Sequence, residues 1–358
     1  MRILIVDTYY PAFLESHYDD RPELADAPYD VQWRALMDRF FGTSDAYSHF
    51  LGELGHEAHE VVLNCDHLQR AWALEHGVTR KRRVGHHKDL SPLLEQAEQF
   101  RPDVVYVQDL NALGPRALRG LRSRAQLLAG QIASPAPSMR RLALYEVVVT
   151  SFPHFVRRFR ANGIASEYLR IGFDSRVLEH LPNADATHDV VFVGGLSRSG
   201  PHAKGNRLME EVAERVPIDY WGYGHDRWPP ESAVRRRYHG HAWGLDMYRV
   251  LRQSRIALNR HIDVAEDHAN NMRLYEATGV GTLLITDAKR NLPELFEPGE
   301  EVVTYGDQDE LIEKIQHYLA NEPERARIAK AGQSRTLREH TFGVRMGELA
   351  AILARYIA

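Results

Sequence analysis

The chain has 358 residues, of which 44% are hydrophobic and 26% charged, and its formal net charge is −4. This length predicts two domains of about 150 to 200 residues. The slightly acidic balance gives no reason to bind nucleic acid, and the short apolar runs predict no stable membrane insertion. The lone Cys65 excludes an intramolecular disulfide and thiolate-rich zinc patterns. The first residues, MRILIVD, enter a strand directly. Together with the lone cysteine, this start favours a cytoplasmic protein, at most peripheral at the inner membrane face.

Strand and helix patterns alternate through the first half of the chain. The predicted strands lie at 3–7, 58–64, 104–109, 126–133 and 146–151, and the predicted helices at 31–41, 45–54, 92–100, 115–121 and 154–162. The segment 9–29, rich in Tyr, Pro and Asp, is predicted to be a long loop that could contact a substrate.

A polar stretch at 172–188 is predicted to be a hinge, and a second alternating series follows it. Its predicted strands lie at 190–194, 218–222, 256–259, 282–286 and 301–305, and its predicted helices at 207–215, 246–253, 272–278, 309–319 and 322–340. The alternation predicts an α/β protein with parallel sheets and Rossmann-like domains at 1–175 and 176–340. The tail, 341–358, is predicted to form an amphipathic helix that caps the second domain or packs back on the first.

The first candidate site follows the strand at 190–194, in the sequence FVGGLSRSGPHAKG. Gly194 and Gly195 would let the backbone approach a diphosphate, and Arg198 and Lys204 would offset its charge near a helix start. The spacing matches neither a Walker A loop nor a dinucleotide fingerprint. The alternative interpretation is a solvated glycine loop with incidental cations.

Two further groups of residues follow later strands. Tyr223, in the sequence WGYG, could stack on a nucleobase or simply pack against the core. Asn259 ends a strand, and Glu276 lies in the first turns of the helix that follows, where its carboxylate could accept hydrogen bonds from ribose hydroxyls. Asn271 and Arg273 could reach phosphate or sugar oxygens. The His and acidic residues of the intervening loop have no recognised ligand spacing, so no metal site is predicted.

Several motifs carry a resemblance to a known family. In the second half these are NNMRLYEATGVGTLLITD, LPELFEPGEEVVTY and REHTFGVRM, and in the first half LGELGHEAHEVV and SFPHFVRRFRANGI. The chain resembles GT-B glycosyltransferases, and more narrowly the CgeB-like spore-maturation group. The resemblance implies two Rossmann-like domains facing each other across a cleft, a nucleotide-diphosphate sugar as donor, and no cofactor. The hydroxyl acceptor is unknown: a glycan, a lipid-linked sugar or a small molecule.

The resemblance also implies roles for individual residues. Glu276 matches the second glutamate of the family's E-x7-E element, which holds the donor ribose, and Arg198 and Lys204 resemble its phosphate-binding pair. The first glutamate would fall at His268, so His268 is a candidate for a related role at the transferred sugar. Because similar enzymes with this element retain the anomeric configuration, the resemblance implies a retaining reaction, and a metal-independent one.

On the acceptor side, Asp109 and His154 follow predicted strands and are candidate catalytic residues, or else caps and loop anchors. Two alternative functions remain open at this point. A nucleotide-sugar 2-epimerase would have the same fold, and a non-catalytic nucleotide-sugar-binding or assembly protein could retain it.

Overall fold

The computed structural model describes residues 1–79, 90–182, 185–199 and 203–357. The chain forms two compact units, Met1–Leu169 together with Arg345–Ala358, and Arg170–Val344. The division at residue 169 precedes the boundary expected at 175, and the chain from residue 345 onward belongs to the first unit. Within the described ranges, no helix is both long and apolar enough to cross a membrane.

The first unit contains a six-stranded sheet with the strand order β2-β1-β3-β4-β5-β6, in which all neighbours are parallel. The strands are β1 (Arg2–Asp7), β2 (Glu57–Val62), β3 (Val104–Val107), β4 (Leu127–Ile132), β5 (Val147–Thr150) and β6 (Ser166–Tyr168). The helices are α1 (Pro11–Asp19), α2 (Tyr29–Met37), α3 (Ala46–Glu53), α4 (Asp66–Glu75), α5 (Ser91–Phe100), α6 (Pro115–Arg122), α7 (Met139–Leu142) and α8 (Pro153–Ala161). Strands β3 and β5 are buried along their whole length, as continuous apolar runs in parallel sheets usually are.

The segment predicted as a long loop, 9–29, is largely helical, so that prediction was wrong. It contains α1 and a 3₁₀ helix at Pro22–Asp26, and each begins with a proline. Proline is tolerated there because the first helical N–H has no partner in any case. Helix α1 is stabilised by burial of Phe13, Leu14 and Tyr18, an apolar stripe that the polar composition of the segment concealed.

The second unit contains a five-stranded parallel sheet with the order β11-β10-β9-β7-β8. The strands are β7 (His188–Gly195), β8 (Asp219–Tyr223), β9 (Ser254–Asn259), β10 (Leu283–Asp287) and β11 (Val303–Tyr305). The helices are α9 (Ala203–Ala213), α10 (Ala233–Arg236), α11 (Leu245–Arg252), α12 (Met272–Gly279), α13 (Gln308–Ala320) and α14 (Glu322–Glu339). A 3₁₀ helix at Ser175–His180 occupies part of the predicted hinge. The α/β class with two parallel sheets is thereby confirmed.

The last helix, α15, spans Phe342–Ala354. Polar contacts join the residues just after α15 to strand β6 of the first unit. The Tyr356 hydroxyl donates a hydrogen bond to Glu167, 2.9 Å away, and Arg355 forms an ion pair with the same carboxylate at 3.2 Å. These contacts, with the buried Leu349 and Leu353, explain why the end of the chain belongs to the first unit.

The buried core of the second unit holds the strands of its parallel sheet in register, so their carboxyl ends lie along one edge. Ile256 and Leu258 of β9 pack in one buried cluster with Leu283 and Ile285 of β10. Because a register shift of one residue would turn these side chains to the opposite face, the core fixes which residues end the strands. The strands β7, β8, β9 and β10 end at Gly195, Tyr223, Asn259 and Asp287, all at the carboxyl edge of the sheet.

Candidate functional site

The carboxyl edge of the second sheet holds most of the residues predicted to bind a donor. Glu276 lies in the middle of α12 and is 6% exposed, with its carboxylate 2.8 Å from Nη1 of Arg273, one helical turn earlier. Burial raises the pKa of the Glu276 carboxyl, and the charge of Arg273 partly offsets this rise. Arg273 also donates from Nη2 to the carbonyl of Val193 at 3.1 Å. The structure therefore brings Glu276 and Arg273 together beside the end of β7, next to Gly194.

Asn259 and Asn271 mainly hold this edge together. Nδ2 of Asn271 donates to Oδ1 of Asn259 at 2.9 Å and to the Arg260 carbonyl at 3.2 Å, and Nδ2 of Asn259 donates to Thr286 Oγ1 at 3.0 Å. Asn271 is also the N-cap of α12, because its side chain accepts a hydrogen bond from the Leu274 amide. Both side chains tie β9 to the start of α12, and so they position Glu276.

At Gly194 and Gly195, the end of β7, the backbone comes very close to that of the neighbouring strand β8. A Cβ at the neighbouring Gly222, whose φ is +136°, would lie 1.8 Å from the Gly194 carbonyl oxygen. Only glycine permits both this φ and this approach. Nδ2 of Asn206, in the first turn of α9, donates to the carbonyls of Gly195 at 3.0 Å and Ser197 at 2.6 Å. The strand end and the helix start are therefore joined directly.

The two predicted phosphate ligands lie on the surface around this junction. The Arg198 side chain is exposed, and its guanidinium lies 4.9 Å from the centre of the Trp228 ring. Lys204 is exposed in the first turn of α9. The loop residues 200–202 of the predicted motif lie outside the described residues. Lys204 thus lies at the helix start, and the role of both cations as phosphate ligands stays a prediction.

The sequence analysis missed a third cation at this junction, Arg260. Arg260 follows the last residue of β9 and is 8% exposed. Its Nη2 donates to Asn206 Oδ1 at 2.5 Å and weakly to the Gly195 carbonyl at 3.5 Å, and its guanidinium lies 5.5 Å from the Phe192 ring centre. The signal that could have revealed it is its place directly after a strand of a parallel sheet.

A histidine–aspartate pair follows Arg260. Nδ1 of His261 lies 2.7 Å from Oδ1 of Asp287, which also accepts from the His261 amide at 3.1 Å. Burial opposes ionisation of Asp287, but its hydrogen bond with His261 and the nearby charges of His261 and Lys289 outweigh burial and hold its pKa below the usual range. The carboxylate thus orients the imidazole at the ends of β9 and β10, a contact between residues far apart in sequence.

His268, at the position of the family's first glutamate, is 5% exposed. Its Nε2 lies 3.4 Å from Nη2 of Arg290. Because a guanidinium only donates hydrogen bonds, this nitrogen is the acceptor, as a carboxylate oxygen of the glutamate would be. Among the described residues, no three His, Cys, Asp or Glu side chains gather as they would around a metal ion.

Tyr223 lies at the end of β8, and its ring is stacked with that of Trp243, with centroids 6.1 Å apart and planes 18° apart. The edge of His241 meets the same Trp243 ring at 5.2 Å. Tyr223 is only partly buried, so this aromatic group presents one ring at the carboxyl edge of the sheet.

The acceptor-side candidates lie in the first unit, after different strands. Asp109 follows β3 and accepts hydrogen bonds from Thr8 Oγ1 at 2.7 Å and from the Asn111 amide at 2.9 Å. The neighbouring Asp7, at the end of β1, accepts from the Thr8 amide at 2.7 Å, and burial raises its pKa to about 7. His154 lies in the first turn of α8 after β5 and is buried against Phe152 and Phe155. In the sheet, β4 separates β3 from β5, so Asp109 and His154 follow non-adjacent strands.

Comparisons with known proteins agree with this architecture. Residues 198–351 match the family model described as "Glycosyl transferase-like". Sucrose-phosphate synthase from Thermosynechococcus elongatus is similar over 99% of both chains, with 14% identity and a TM-score of 0.59. HepE of Anabaena, solved in complex with UDP-glucose, is similar over 99% of this chain and 100% of its own, with 15% identity and a TM-score of 0.62.

A third solved structure, a putative UDP-N-acetylglucosamine 2-epimerase from Listeria monocytogenes, is similar over 99% of this chain and 96% of its own. Its identity is 14% and its TM-score 0.55. A comparison with curated protein sequences finds no significant match. The fold is therefore GT-B, and the part of the chain that carries the candidate donor site matches a glycosyl transferase-like family.

Proposed function

We propose that this protein is a glycosyltransferase that moves a sugar from a nucleotide-diphosphate sugar to an acceptor hydroxyl. The observation that carries this proposal is the buried Glu276 carboxylate, held by Arg273 beside the glycine turn that ends β7. A buried carboxylate can accept hydrogen bonds from ribose hydroxyls, and the adjoining glycines and helix start suit a diphosphate. The match of residues 198–351 to a glycosyl transferase-like family supports the same conclusion. The narrower CgeB-like assignment and the cytoplasmic location stay predictions.

The reaction requires that the departing nucleoside diphosphate be stabilised as the glycosidic bond breaks. In this proposal, Arg198, Lys204 and the amino end of α9 meet the negative charge that develops on the diphosphate oxygens. The acceptor oxygen attacks the anomeric carbon and its proton passes to the leaving phosphate, with retention of the anomeric configuration. Such a route requires no strong general base.

On the acceptor side, we propose Asp109 and His154 as residues that meet the acceptor. Asp109 has carboxylate oxygens at the carboxyl edge of the first sheet, and Thr8 and Asn111 orient them. His154 lies in the first turn of α8. Such groups would hydrogen-bond acceptor hydroxyls and so orient them.

Arg198→Ala should lower turnover more than donor affinity, because the guanidinium acts on charge that grows in the transition state. Steady-state kinetics and calorimetry with the same donor would measure the two effects. Arg215→Ala is the matched control, since Arg215 is also an exposed arginine and pairs with Asp309 beyond the other end of α9. An equal loss of affinity and turnover would make Arg198 a simple positioning contact.

Transfer should continue in the presence of excess EDTA, because the proposed site stabilises the diphosphate with side chains and helix amides. The measurement is the rate of nucleoside diphosphate release with and without chelator, followed by addition of Mg²⁺ or Mn²⁺. A strict requirement for a divalent ion would refute the metal-independent mechanism.

A nucleotide-sugar epimerase remains the competing function, because the similar structure from Listeria monocytogenes has that putative activity. The products separate the two. A transferase releases a nucleoside diphosphate and glycosylates an acceptor, or slowly hydrolyses the donor without changing C2 of the sugar, whereas an epimerase inverts C2, whether the sugar stays on its nucleoside diphosphate or is released from it by water. A non-catalytic binding protein, the third possibility, would bind the donor and leave it intact.

A further inference from the structure

The buried arginine after β9 is unusual among the charged groups of the second unit. Nη2 of Arg260 has two acceptors, Asn206 Oδ1 and the Gly195 carbonyl, but its Nε is buried and has no hydrogen-bond partner in the described part of the chain. No carboxylate forms an ion pair with it there either. Burial lowers the pKa of Arg260 from its ordinary value, and the more distant charges of Asp287 and Asp263 only partly offset this, although a guanidinium still keeps its proton at neutral pH.

A buried charge without a counter-charge is costly, by several kcal/mol in general. Arg325 in the same unit shows the usual solution. It is also 8% exposed, but it donates to the Tyr318 carbonyl at 2.7 Å and lies 3.8 Å from Glu322. Arg260 therefore has the burial of a structural arginine without the carboxylate that such an arginine normally has.

The surroundings of Arg260 indicate where a counter-charge would lie. Its side chain runs along the first turn of α9, and a Cβ on Gly205 would lie 2.2 Å from Arg260 Cδ and 2.5 Å from Nε. Gly205 thus leaves room for the guanidinium beside the amino end of an eleven-residue helix. The first amides of a helix have no intrahelical acceptors and attract anions. The unpartnered Nε therefore lies beside the first turn of this helix.

We propose that Arg260 is a diphosphate-binding residue, which reaches the anion from beneath the glycine turn while Arg198 and Lys204 reach it from the surface. This inference rests on the proposed function, since it takes the anion to be the diphosphate of the donor. Asn206 is the positioning residue, because its side chain holds both the Gly195 carbonyl and Nη2 of Arg260. The bound anion supplies the missing counter-charge.

The test measures binding of inorganic pyrophosphate, UDP and uridine by calorimetry, together with melting temperature without ligand. Arg260→Gln should weaken pyrophosphate and UDP by about tenfold or more, the usual effect of losing a hydrogen bond to a charged group, and leave uridine unchanged. It should melt no lower than the wild type, because it removes a buried charge that no ion pair holds. Gly205→Ala, which keeps the charge but displaces the guanidinium, should also weaken pyrophosphate.

Arg325→Gln is the matched control, and it should melt lower while it binds pyrophosphate as the wild type does. A lower melting temperature of Arg260→Gln with unchanged pyrophosphate affinity would overturn the proposal and leave Arg260 as a structural tie. Absence of pyrophosphate binding to the wild type would overturn it as well. Wild-type binding of pyrophosphate that Arg260→Gln abolishes, with no binding of any nucleoside diphosphate, would support the anion site and reject the proposed function.

Discussion

Replacing Glu276 by glutamine should weaken binding of the donor nucleotide by on the order of 1 to 3 kcal/mol, which is about 5- to 150-fold in affinity. The carboxylate is the proposed acceptor for the ribose hydroxyls, and a neutral amide accepts hydrogen bonds more weakly than a carboxylate does. Glutamine keeps the volume of the side chain, whereas alanine would also leave a cavity beside Arg273. Calorimetry with the nucleoside diphosphate that the wild type binds most tightly measures the effect.

A ligand lacking both ribose hydroxyls separates recognition from stability. The wild type should prefer the natural nucleotide over its 2′,3′-dideoxy counterpart, and Glu276→Gln should largely lose that preference. Asp219→Asn is the control, because Asp219 is also a buried acid of this unit, paired with Arg237 and His239, but lies at the start of β8. An undiminished preference in Glu276→Gln would mean that another group reads the ribose.

Asp7→Asn should stabilise the protein at pH 8 by up to about 4 kcal/mol and have little effect near pH 4. Burial raises the pKa of Asp7 to about 7, from its ordinary value of 3.8. A carboxyl with a raised pKa in the folded state opposes folding as it ionises. The native contribution of Asp7 is therefore lost progressively as the pH rises from about 4 to about 7, and asparagine removes that loss. Urea unfolding at both pH values measures the difference.

Glu57→Gln controls for removal of a negative charge from the first unit, because the Glu57 side chain is 56% exposed in its ion pair with Arg2. Such surface pairs contribute little to stability, so this variant should follow the wild type at both pH values. An equal effect of Asp7→Asn at pH 4 and pH 8 would show that the Asp7 pKa is not raised by folding.

Patterns that repeat locally made much of the fold predictable. Helix α3 was expected at 45–54 and spans Ala46–Glu53, ending before Gly55, whose φ of +81° suits a helix terminus. Helix α12 was expected at 272–278 and spans Met272–Gly279. In both helices, the apolar periodicity and the signals that end the helix lie within a few residues of each other. These local interactions decide the structure, so a short stretch of sequence is enough to predict it.

The parts that were missed depend on contacts between distant residues. Arg260 meets Asn206 across 54 positions, and His261 meets Asp287 across 26, because β7, β9 and β10 are neighbours in the sheet. Asn259 and Asn271, whose role as donor ligands stays a prediction, hydrogen-bond to each other. Residue type and spacing suggested polar chemistry at this edge, but only the strand order shows which polar groups are already satisfied.

The central claim, that this chain uses a nucleotide-diphosphate sugar, is tested most directly by a thermal-shift screen against UDP, GDP, TDP, CMP and their common sugars. The account predicts that one nucleoside diphosphate stabilises the protein selectively, and that Glu276→Gln reduces this shift. That result would also identify the base. A wild-type protein that none of these ligands stabilises would contradict the glycosyltransferase proposal and favour a GT-B-fold protein with another role.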